Sequence, residues 1–295
     1  MIVGSQAHVT VPVACRMLGL GFDRVRVVPS DDQGRMRPDE LEAELGRGSG
    51  PTIVCAQAGE INTGAFDPIG EIVDACRAHA AWCHVDGAFG LWAAVSPSRR
   101  ALLAGVERAD SWATDAHKWL NVPYDCGIAA VADPAVHRAA MTSTSPYIPA
   151  HDDSVRWGYD WTPEFSRRAR GVPLYAALRG LGRAGLAALV DGRCDHARRM
   201  AGRLAEADGV EVLNDVVLNQ VLVRFGDDDA VTRAVIDRVQ QDGVCWLSGS
   251  TFGGEAVMRV SVVGWQTTPA DIDRSAEAIL NAAAGIAGRS PLRRT

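Results

Sequence analysis

The stretch Asp115-Ala116-His117-Lys118-Trp119-Leu120-Asn121 follows the short β-rich run Ser111-Trp112-Ala113, and its reading decides the rest. Moving outward, His84-Val85-Asp86-Gly87-Ala88 repeats the pattern: an apolar strand that ends directly on a chemically capable side chain. In an open α/β sheet, ligands gather at the carboxyl ends of the strands. Asp86 and Lys118 then share one edge, each supplied by a different strand. If the sheet is parallel, His8 and the loop Gln57-Ala58-Gly59-Glu60 fall on the same edge. Of the chain's 30 basic residues only Lys118 is a lysine; every other one is arginine. Either cation serves surface charge, but only lysine offers a primary amine that can form a Schiff base.

The flanking sequence supplies the layers that such an edge needs. Helical spacing at 9–18, 37–45 and 67–80 alternates with short strands at 25–28, 52–56, 82–85, 111–113 and 127–131. Strands separated by helices of this length predict an α/β layer with a mostly parallel sheet. Residues 141–163 are rich in Ser, Thr, Pro, Asp and aromatics and lack a period, which predicts a long irregular loop. Helices are expected at 172–189 and 194–207, then strand, helix, strand, strand, helix at 216–225, 231–240, 244–248, 256–262 and 270–284. This organisation divides the chain into a large unit, 1–180, and a small α+β unit, 181–295.

The 295 residues are 47% hydrophobic and 22% charged, with a net charge of -6 at pH 7. That balance excludes a disordered chain and argues against a nucleic-acid-binding surface. There is no apolar stretch long enough to cross a bilayer and no signal-peptide pattern, so the expected location is cytoplasmic. The seven cysteines form no CxxC pair and read as buried thiols, and no metal site is expected.

The edge residues fit pyridoxal 5'-phosphate, which needs a lysine to carry it and a carboxylate to keep its pyridine nitrogen protonated. Seen singly, Asp86 reads equally as a turn acid, and His8 and His117 as ordinary hydrogen-bonded histidines. The joint spacing around the lone lysine favours the cofactor.

The chain also resembles the pyridoxal-phosphate-dependent group II amino-acid decarboxylases, the aromatic-L-amino-acid and glutamate decarboxylases. The matching segments are Gly4-Ser5-Gln6-Ala7-His8, Ala58-Gly59 with Thr63-Gly64-Ala65-Phe66-Asp67-Pro68, the His84 to Ala88 segment, Asp115 to Asp125, Ser166-Arg167-Arg168-Ala169-Arg170, and Arg259-Val260-Ser261. The resemblance implies the fold type I, aspartate-aminotransferase-like large domain, incomplete at its amino end, with a small carboxy-terminal α+β domain. It implies that Lys118 carries the cofactor, Asp86 pairs with the pyridine nitrogen, and His8 stacks on the ring. Ala88 would pack on the opposite face, and His117 would approach the phosphate. Tyr147 matches the family's proton-donating tyrosine, where a phenylalanine would suggest an aldehyde-forming relative.

Glu60 stands where the family places a threonine near the cofactor, so it is counted among the cofactor-binding residues, with two directions open to it: towards cofactor or substrate, or away from them. The family's glycine-, serine- and threonine-rich phosphate loop has no counterpart among these 295 residues, which predicts weak cofactor binding. The implied activity is decarboxylation of an L-amino acid to its amine and CO2, by a homodimer. Trp92, Tyr147, Trp157 and Trp161 point to an aromatic substrate. Two alternatives remain open: another reaction on the same fold (aldehyde synthase, aminotransferase or lyase), and a catalytically incompetent fragment.

Overall fold

The structure is a computed structural model that describes residues 1–48, 50–148 and 155–287. It begins with a strand absent from the sequence reading, β1 (Ile2–Gly4), followed by α1 (Thr10–Met17) and β2 (Arg26–Val28). Three residues are too few to show a period, yet Ile2 and Val3 are fully buried. Next come α2 (Pro38–Gly46), β3 (Ile53–Gln57), α3 (Ile69–Ala78) and β4 (Trp82–Asp86). Then follow β5 (Ser111–Asp115), the one-turn α4 (Ala116–Trp119), β6 (Gly127–Val131) and α5 (Pro134–Met141).

Six strands make one sheet in the order β2-β1-β3-β4-β5-β6. All its neighbouring pairs are parallel except β5–β6, which is antiparallel. The sheet therefore matches the mostly parallel layer that the alternating pattern predicts. Strand β3 is buried on both faces from Val54 to Gln57, with Val54, Cys55 and Ala56 as its apolar middle, as a central parallel strand requires. Strand β4 alternates: Cys83 and Val85 are buried in the core, while Trp82, His84 and Asp86 are half-buried on the opposite face. Each fully buried aliphatic side chain in this core contributes about 1.5–3 kcal/mol.

The expected irregular stretch is preceded by α5, whose start is fixed by Asp133. Its carboxylate accepts the amides of Ala135 and Val136, with Pro134 in the first turn. Two separate helices were expected across 172–207; they are merged in α6 (Gly171–Ala205), which is interrupted at Gly182 (φ 61°, ψ -179°). Those angles belong to a region that is essentially glycine-only, which is why the break falls there and not between 189 and 194.

A second sheet follows. After β7 (Val210–Val212), another strand without a sequence signal, come β8 (Gln220–Phe225), α7 (Asp229–Asp242), β9 (Ser248–Phe252), β10 (Glu255–Ser261) and α8 (Pro269–Ala287). Its order is β7-β8-β10-β9, antiparallel throughout. The strand expected at 244–248 begins only at Ser248. Val244 and Trp246 are exposed in the connection, and β9 pairs with β10 across a two-residue turn at 253–254.

Helix α6 serves both cores. Val190 and Cys194 join the first, and Ala197, Met200 and Leu204 join the second. All seven cysteines are free, six of them buried. Among the described residues no helix is long and apolar enough to cross a membrane.

Candidate active site

The parallel register carries Asp86 and Lys118 to one edge. Asp86 ends β4 beside Ala113 of β5, and two residues further β5 runs into α4, which holds Lys118. Lys118 Nζ lies 3.1 Å from Asp115 Oδ2 and 5.9 Å from the centroid of the Phe89 ring. Asp115 was missed by the sequence reading, although its i,i+3 spacing to Lys118 on a helical turn is the signal that finds it.

His117 Nδ1 lies 3.1 Å from the Cys126 amide and 3.3 Å from the Cys126 carbonyl oxygen, and its Nε2 is 3.7 Å from Asp115 Oδ2. Tyr124 packs on the same imidazole, with ring centroids 4.0 Å apart. Ala88 joins the two strand ends: its amide donates to Asp86 Oδ1 (3.1 Å) and its carbonyl accepts the Asp115 amide (2.9 Å).

On the half-buried face of β4, Trp82 donates to Ser111 Oγ (2.8 Å) and His84 Nδ1 bonds the same oxygen (2.8 Å). Burial pushes the His84 pKa down, against the opposing pull of Asp86. The loops at this edge approach closely. A Cβ on Gly90 would stand 2.1 Å from the Ala58 carbonyl oxygen, so only glycine lets the β3 and β4 loops meet.

His8 lies on the same edge, in the loop after β1, half-buried, with Nδ1 bonded to Thr10 Oγ1 (2.8 Å). Glu60 turns inward. Its carboxylate is almost fully buried and accepts the amides of Asn62 and Thr63 (both 2.7 Å), Asn62 Nδ2 (3.0 Å) and Thr63 Oγ1 (3.1 Å). Burial raises its pKa and these donors pull it back. The acid therefore closes the 60–64 turn with its acceptors occupied. That turn is tied to the second sheet through Asn62 Oδ1, which accepts from Ser250 Oγ (2.7 Å). Arg259 of β10, within electrostatic reach of Glu60, donates to Ser248 Oγ (3.2 Å).

Tyr147 stands apart from the cluster, 86% exposed on the segment that follows α5. The four aromatics read as a substrate signal do not converge. Trp92 donates to the Asp115 carbonyl (3.0 Å) behind the lysine, Trp161 packs against Arg156 and His137, and Trp157 stacks on Tyr159.

The sequence profile of the pyridoxal-dependent decarboxylase conserved domain matches residues 1–225. The chain belongs to this family. Among curated decarboxylases it is 30% identical to the human acidic amino acid decarboxylase GADL1 over 221 residues, covering 72% of this chain and 42% of that protein. It is 28% identical to tryptophan decarboxylase TDC1 of Camptotheca acuminata over 280 residues, 89% of this chain and 56% of the other. The solved structure of Oryza sativa TDC with PLP and tryptamine superposes with a TM-score of 0.91 at 26% identity, covering 97% of this chain and 62% of that one. The chain thus spans about half the length of the curated decarboxylases it matches. The two sheets are the large α/β domain and the smaller carboxy-terminal α+β domain of fold type I, as the decarboxylase resemblance implies.

Proposed function

We propose that this chain carries the catalytic edge of a pyridoxal-phosphate-dependent decarboxylase that converts an L-amino acid to its amine and CO2. The observation that carries the reading is that one sheet edge holds both the only lysine and a strand-end carboxylate: Asp86 ends β4, and the neighbouring β5 leads into the α4 turn that bears Lys118. The donor set fits the cofactor: a primary amine, a strand-end carboxylate, and a histidine anchored through Nδ1 to the Cys126 backbone. When bound, pyridoxal phosphate supplies an electron sink for the bond that breaks as the carboxylate leaves.

The rest is work for the chain's own side chains. Lys118 Nζ would hold the cofactor, and Asp115 would keep the amine oriented whenever it is released. Asp86 would hold the proton of the ring nitrogen. His117 Nε2 would donate towards the phosphate, and Ala88 and His8 would pack on opposite faces of the ring. Tyr147 would supply its proton only after the segment that bears it closes over the edge. Glu60 is better read as the brace of the 60–64 turn than as a cofactor ligand, because its own loop occupies its acceptors. A homodimer belongs to the same reading. It is supported by the exposed apolar face of Val172, Tyr175, Leu178 and Leu181 on the first half of α6.

The test is an absorbance titration with pyridoxal phosphate. An imine band is expected that disappears in Lys118→Ala, and CO2 and amine should form in equal amounts from the substrate amino acid. A band indifferent to the substitution would sink the reading, as would a keto acid or aldehyde formed without amine.

A further inference from the structure

The turn that carries Lys118 ends at a residue that the motif comparison leaves without a role. Asn121 has a left-handed backbone (φ 52°), a conformation that asparagine tolerates better than other side chains. Its carboxamide faces two ways. Nδ2 donates to the Trp119 carbonyl (2.8 Å), one of the orphan carbonyls at the end of α4, and to the Val263 carbonyl (3.0 Å). Oδ1 accepts the Trp265 amide (3.3 Å). Residues 263–265 lie between β10 and α8, in the carboxy-terminal domain. The same short loop is gripped from its other side by Arg193 of α6, whose Nη1 donates to the Gly264 carbonyl. One amide therefore spans the two domains at the lysine's own turn.

We propose that Asn121 is a positioning residue for Lys118: its carboxamide ties the end of the lysine's turn to the 263–265 loop, so that the seating of the carboxy-terminal domain sets where the amine stands. The inference rests on the reading of Lys118 as the cofactor-bearing amine. Two properties of asparagine are used at once. The left-handed backbone alone is met as well by glycine, which has no amide to offer. The bridge alone needs donor and acceptor on one short side chain, which aspartate supplies only in part.

That division gives the experiment. Asn121→Gly keeps the backbone and removes the bridge. Asn121→Asp keeps an acceptor for the Trp265 amide and loses both donated bonds. Two readouts are taken on the intact chain: hydrogen exchange of the backbone amides at 263–267 and 118–121, and the rate at which pyridoxal phosphate labels Lys118 under borohydride. Peptide mapping makes the second readout unambiguous, because no other lysine competes.

In Asn121→Gly, exchange in both segments is expected to rise about tenfold and labelling of Lys118 to slow by a similar factor, the loss of one or two hydrogen bonds. The urea midpoint should fall only slightly, because glycine relieves the left-handed backbone while it loses the bonds, and Asn121→Asp should fall between the two in exchange and labelling. A glycine variant that matches the wild type in exchange and labelling overturns the proposal, since only the backbone would then matter. Loosening of 263–267 without any change at 118–121 or in labelling overturns it as well. If wild-type Lys118 takes no label, the cofactor reading fails, and paired exchange in the two segments still decides whether Asn121 couples them.

Discussion

Asp67 gathers two backbone amides, those of Met36 and Gln57, each at 2.7 Å, onto one buried carboxylate. Burial raises its pKa from the ordinary 3.8 to about 6, because the two donors only partly offset desolvation. A folded value above the unfolded one means that the native state holds the proton more tightly. The associated stability is complete below the unfolded pKa and is lost as pH rises through about 6. Urea melts of wild type and Asp67→Asn should show the wild type losing ground by up to about 3 kcal/mol between about pH 4 and about pH 7. A constant difference across that range would show that the two amides already hold the carboxylate ionised. At this scale the sequence speaks clearly where a side chain's position alone carries the meaning. The shared edge of Lys118 and Asp86 is legible because Asp86 closes one strand and Lys118 comes three residues after the end of the next. Asn121 is not, since its partner Val263 lies 142 residues away. Glu60 stood out as a departure in charge, but sequence cannot give the direction of a side chain, and it turns into its own loop.

Among the elements, α6 shows what a pattern cannot rank. Gly180, Gly182 and Gly185 read alike in sequence, yet only Gly182 leaves helical geometry. Gly182→Ala should therefore cost about 1–3 kcal/mol, because no other residue adopts that backbone without strain. Gly180→Ala meets nothing within 4 Å and should gain about 0.5–1 kcal/mol, as glycine replaced inside a regular helix does. Denaturant midpoints of the two variants moving in the same direction would contradict this. The other misses are of the same kind. Strands β1 and β7 have three residues each, too short for a period, and they exist because partners on both sides of β1 and on one side of β7 recruit them. Within the 244–248 run only Ser248 finds a partner, Arg259 of β10, so composition lost to pairing.

For the molecule as a whole, the division of α6 between the two cores fixes how the protein melts. Val190 and Cys194 cannot leave the first core without dragging Ala197, Met200 and Leu204 out of the second. Scanning calorimetry should therefore show one transition, with calorimetric and van't Hoff enthalpies in agreement. Two resolved peaks would show that the helix yields between Cys194 and Ala197, so that the cores part.

The place of β1 inside the sheet bears on the order of assembly. Ile2 is paired to Arg26 on one side and to Val54 on the other, so β1 is an interior strand that is made before both of its neighbours. Its apolar side chains must wait for the partner on the far side while the intervening segment is still being made. Contacts of such long sequence separation close slowly, and helices between them form sooner than the sheet they cover. Biosynthesis of this chain thus passes through a stage in which Ile2 and Val3 are already made and not yet shielded, the interval in which chaperone capture would matter most.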